Sequence, residues 1–68
     1  MINWKTFIER HLRMKTMIFI EEYFKKKGIQ EPTIPMICEI TEEEMNEFSP
    51  FLSVVHIHEL LVFQQIHK

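Results

Sequence analysis

Residues 4–28, WKTFIERHLRMKTMIFIEEYFKKKG, carry the strongest helical signal in the chain. Trp4, Phe7, Ile8, Leu12, Ile18, Phe19 and Tyr23 recur with a 3.6-residue period and form one apolar stripe. Glu9 and Arg13, Glu21 and Lys25, and Glu22 and Lys26 stand four apart with the acid first, the favourable order for helix pairs. Lys25, Lys26 and Lys27 fall where the helix dipole is negative. Gly28 suits the left-handed residue that closes a helix, with Ile29 folding back onto the last turn. The pattern predicts one long helix over residues 4–27, with Asn3 as its N-cap.

Downstream, residues 29–41 hold Pro32 and Pro35, which lack an N–H and fix φ. Ile34, Met36, Cys38 and Ile40 alternate, so a short strand over residues 33–40 competes with an extended connector. Pro35 favours the connector, and no second strand is at hand to pair with it. Thr41-Glu42-Glu43-Glu44 reads as a capping box opening a short helix to about Phe48. Ser49-Pro50 reads as a second start, with serine at the N-cap and proline at N1. A last helix from Pro50 nearly to Lys68 follows, as a separate helix or as one kinked at Pro50. Its Val54, Val55, Ile57 and Val62 suit a strand as well, but its length without a turn residue favours helix. The fold class is therefore all-α, a single small helical domain over residues 1–68.

The 68 residues are 46% apolar, which excludes a disordered chain. A chain of this size buries only roughly 60% of its unfolded surface, so small scaffolds recruit disulfides, metals or partners. Cys38 is the single cysteine, which excludes an internal disulfide and a cysteine-rich zinc frame. No apolar run approaches the ~18 residues of a membrane span. Glu9, Arg10, Arg13 and Lys15 interrupt any secretory pattern, and the expected location is the cytoplasm. The absence of alanine and aspartate, a lone glycine, and heavy use of Ile, Lys and Phe point to an AT-rich source such as a low-GC bacterium or its phages.

Both long helices carry a second apolar face. Met17, Ile20 and Phe24 lie opposite the first stripe. On the last helix Leu52, Val55, Phe63 and Ile66 share a face, flanked by Leu60 and Val62, with Val54, Ile57 and Leu61 opposite. A surface helix needs one apolar stripe, and a 68-residue chain has no large core for its helices to cross. The second stripes therefore predict a homodimer with Met17, Ile20, Phe24, Val54, Ile57 and Leu61 at its interface. Charge is divided too. Residues 1–27 hold seven basic against three acidic side chains, +4, and residues 28–68 hold one against seven, −6. Opposite signs favour packing of the halves on each other, within or between chains.

Chemistry is sparse. His56 and His58 point about 200° apart on a helix and cannot chelate together, and His67 lies roughly 16 Å along from His56. His11 could join them only through tertiary packing. With one glycine there is no phosphate loop, and Cys38 has no neighbouring oxyanion device. No catalytic residue, cofactor or metal is expected. The expected function is a protein–protein interaction module acting as a regulator, adaptor or inhibitor. The alternative is a dimeric nucleic-acid-binding regulator using Thr6, Arg10 and Arg13 of the first helix. A net charge of −2 weighs against it.

Overall fold

The computed structural model describes residues 4–67, which form helices with no strand among them. The helices are α1 (Trp4–Ile8), α2 (Met14–Lys26), α3 (Ile34–Ile37), α4 (Glu42–Asn46) and α5 (Val54–His67). The α5 helix packs against α2, α3 and α4. Ile8, Phe19, Ile20, Ile37, Met45, Leu52 and Leu60 lie fully buried in the core.

The expected single helix over residues 4–27 is broken. The chain leaves helical geometry after Ile8, and Arg13 is extended with φ −72° and ψ 160°. A straight helix over 24 residues would be about 36 Å long, longer than the 33 Å greatest extent of the whole fold. It could not bring Trp4 and Ile8 into the same core as Phe19 and Phe24. The break does so, and Lys5 Nζ meets Glu21 Oε2 at 2.9 Å, a pair that a continuous helix would hold about 24 Å apart. Burial outweighs local propensity here, as it does for most short helices. The N-cap expected at Asn3 lies outside the described residues.

The end of α2 matches the sequence reading. Gly28 has φ +76°. Its N–H donates to the Lys25 carbonyl at 3.0 Å, and the Ile29 N–H donates to the Phe24 carbonyl at 2.9 Å. These two bonds make a Schellman motif, and Ile29 packs back on the core.

Residues 33–40 form neither a strand nor a fully extended connector. Thr33 Oγ1 accepts from the Met36 N–H at 3.4 Å and caps the single turn α3. Pro35 fits because the first turn needs no N–H from it. Ile37 and Ile40, three apart, are the residues this segment buries. The capping box of α4 is formed as expected: the Glu44 N–H donates to Thr41 Oγ1 at 3.2 Å and the Thr41 N–H to Glu44 Oε1 at 3.0 Å.

The last helix begins later than Ser49-Pro50 suggested. The Ser49–Pro50 peptide is cis, and residues 47–51 are turns followed by a bend at Leu52. Ser53 takes the cap position: its carbonyl accepts the Ile57 N–H at 3.1 Å, and its own N–H donates to His56 Nδ1 at 3.3 Å. His56 thus reaches back as the acid of a capping box would.

Candidate functional site

The apolar residues of α5 are spread round its circumference among histidines, glutamines and Glu59, so it has no single inward stripe to declare. Its inward face is Ile57, Leu60, Phe63 and Gln64, the last a buried amide that interrupts the apolar pattern. Its outward face holds Val54, 81% exposed, Val55, 54%, Val62, 43%, and Ile66, 71%. Among the described residues the other exposed large apolar side chains are Met14, Ile18 and Phe51. Lys15 of α2 sets its Nζ 5.6 Å above the Phe51 ring.

The outward face borders a groove of about 530 Å³ lined by Val55, His58, Val62 and Ile66, with His11 and His67 at one end. Glu59 is also in its wall, but its carboxylate accepts from Arg13 Nε at 3.0 Å, which ties the start of α2 to α5.

The expected interface residues divide. Ile20, Phe24 and Ile57 are buried within the chain, and Met17 and Leu61 are half-buried against the same core. Of the six, Val54 alone stands exposed on the outward face. The break at residues 9–13 is the reason for the first helix: once α1 folds back, Phe19 and Tyr23 of one stripe and Ile20 and Phe24 of the other are buried inside the chain, with Ile18 left exposed. On the last helix each expected face divides: Leu52, Leu60 and Phe63 of the first set are buried, and of the opposite set Ile57 is buried while Val54 is exposed. Val55, Val62 and Ile66, read as inward, are outward, because Ile57, Leu60 and Gln64 take the core positions.

The break also separates Thr6, in α1, from Arg10 and Arg13 in the following turn, so they no longer share one helix face. Arg13 is engaged by Glu59.

Histidines that the sequence left scattered meet at the groove's end. The His11 and His67 rings have centroids 6.0 Å apart. Phe63 lies 4.4 Å from His67, and Phe7 lies 5.4 Å from His67 and 6.3 Å from His11. The Cys38 thiol donates to the His67 carbonyl oxygen at 3.9 Å. Among the described residues no three histidine, cysteine or acidic side chains converge as a metal ligand set.

A second polar cluster joins α2 to α4. The Tyr23 hydroxyl donates to the Glu44 carboxylate, and Lys27 Nζ donates to the Tyr23 oxygen at 2.8 Å. The bond from Tyr23, with the Thr41 N–H behind it, holds Glu44 below the ordinary glutamate pKa. Burial, and then the bond to Glu44, raises Tyr23. These groups knit two helices and line a smaller pocket of about 240 Å³ together with Ile29, Met36 and Glu39.

No protein-family model matches the chain, and comparisons with curated proteins and with solved structures return no match.

Proposed function

We propose that this chain is a small protein–protein interaction module, a regulator, adaptor or inhibitor that works as a homodimer built on the outward face of α5. The observation that carries the reading is the set Val54, Val55, Val62 and Ile66, open to solvent on one helix. Exposed apolar surface that clusters in this way marks docking sites.

The face suits a second copy of itself. In a two-fold contact like meets like, so an unpaired charge on the face would meet its own image. The carboxylate in the groove, Glu59, is neutralised within the chain by Arg13. The remaining apolar positions can interleave with a copy running antiparallel, Val55 of one against Ile66 of the other.

Light scattering tests the reading. The wild-type mass corresponds to two chains, and its melting temperature rises over about a hundred-fold range of concentration by mass action. Val62→Glu yields a folded monomer, because Val62 is 43% exposed within the chain and the carboxylate stays in water there. Gln30→Glu, exposed beyond the end of α2 and outside that face, leaves the dimer intact. A wild-type mass of one chain with a concentration-independent melt overturns the proposal.

A further inference from the structure

We infer that His11 and His67 form a binding site for a borderline divalent transition-metal ion, with zinc(II) and copper(II) as its ligand class, at the end of the α5 groove. With metal–nitrogen bonds of about 2.0–2.1 Å, two imidazoles on one ion have ring centroids roughly 5 to 6 Å apart. The centroids of His11 and His67 are 6.0 Å apart.

The pair is also held in place. His67 rests on Phe63 at 4.4 Å with ring planes 38° apart, and Phe7 contacts both imidazoles. The His11 backbone is fixed by its N–H donating to the Ile8 carbonyl at 2.8 Å. Two rotamer-rich ligands are thus restrained before any ion arrives, which lowers the ordering cost of binding. Within a single chain His11 is exposed and His67 half-buried, so an ion reaches the pair through the groove.

Neither of the other two histidines joins the pair. His56 Nδ1 is occupied by Ser53. His58 lies nine residues before His67 on the same helix, about 13 Å away along its axis. With no third side chain converging, two protein nitrogens leave the remaining positions of the ion to water or to an incoming carboxylate or imidazole. This goes beyond the association reading and does not depend on it, since both ligands come from one chain.

Imidazole ligands dictate the selectivity. Copper(II) binds more tightly than zinc(II), following the Irving–Williams order, and magnesium and calcium, which demand oxygen ligands, do not bind. The test is calorimetric titration of the whole chain with zinc chloride and copper chloride, read alongside the imidazole NMR signals. One ion per chain is expected, with the His11 and His67 ring signals shifting together. His11→Asn and His67→Asn each weaken binding at least ten-fold, while His58→Asn does not. Unchanged affinity in either of the first two variants overturns the site, as does an equal loss in His58→Asn. The absence of any heat or shift at millimolar metal overturns it as well, and that result leaves the dimer measurement standing.

Discussion

Gln64 donates its side-chain amide to the Ile37 carbonyl oxygen at 3.0 Å, across twenty-seven residues of chain. The same nitrogen donates to the Ile40 carbonyl at 2.9 Å. Both acceptors lie at or just after the end of α3, where a helix leaves carbonyls without partners. Gln64 is buried, so water does not replace it. Gln64→Leu takes the side-chain donor from the Ile40 carbonyl and leaves the Ile37 carbonyl with the Ile40 N–H at 3.3 Å; it should destabilise the fold by about 1–3 kcal/mol. Gln65→Leu, on an exposed neighbour, should change little. Urea denaturation of the two variants makes the comparison; equal midpoints would mean that the clamp contributes nothing.

The opposite case is Thr16. Its Oγ1 is buried without a hydrogen-bond partner. A hydroxyl left unsatisfied carries a desolvation penalty of about 1–3 kcal/mol, and replacing it with an apolar group of the same shape relieves it. Thr16→Val should leave thermal stability unchanged or raise it, and Thr16→Ser, which keeps the hydroxyl and loses the methyl, should lower it. A lower melting temperature for the valine variant would show that Oγ1 has a partner in solution.

The Tyr23–Glu44 bond sets an acid limit. Because the folded-state pKa of Glu44 lies below its unfolded value, its contribution is complete above the ordinary glutamate range of about 4.3. It fades as pH falls from there through the lower folded value. Glu44→Gln keeps the capping geometry and removes the charge. The melting gap between wild type and Glu44→Gln should be widest near neutral pH and close toward pH 3. Tyr23 and Lys27 act at the other end: both folded values are raised, so their contribution is lost as pH climbs through them.

At the start of α5, Ser53→Ala removes the Oγ that lies 2.7 Å from His56 Nδ1 and should cost about 0.5–1 kcal/mol. Ser49→Ala should cost less, although Ser49-Pro50 carries the more familiar start signal. Thermal melts of both variants decide where the helix begins.

These sites mark what the sequence discloses. The Thr41–Glu44 box and the Gly28 terminator were legible because each is complete within a few residues: donor, acceptor and φ requirement all lie in one local stretch. The break between Ile8 and Met14 was not, since no proline or glycine announces it. It exists because two apolar segments gain more by sharing one core than by staying collinear. The start of α5 was misplaced because histidine at position 56 does the work expected of glutamate. The inward face of α5 was hidden by Gln64, a polar residue whose partners come from α3 and the residues after it. The pairing of His11 with His67 joins a turn near one terminus to a helix near the other, and no spacing rule connects them.

The five-residue α1 has a consequence for how the molecule opens. A helix of one and a half turns has almost no stability of its own, so its hydrogen bonds survive only while Trp4 and Ile8 stay docked. It is therefore the unit from which local unfolding should begin, exchanging its amide hydrogens ahead of those of α2 and α5. His11 sits at the end of this unit and His67 at the end of α5. Whatever fastens those two imidazoles together would latch the first helix shut, and occupancy of the groove's end would then be read out as slowed exchange at residues 5–12.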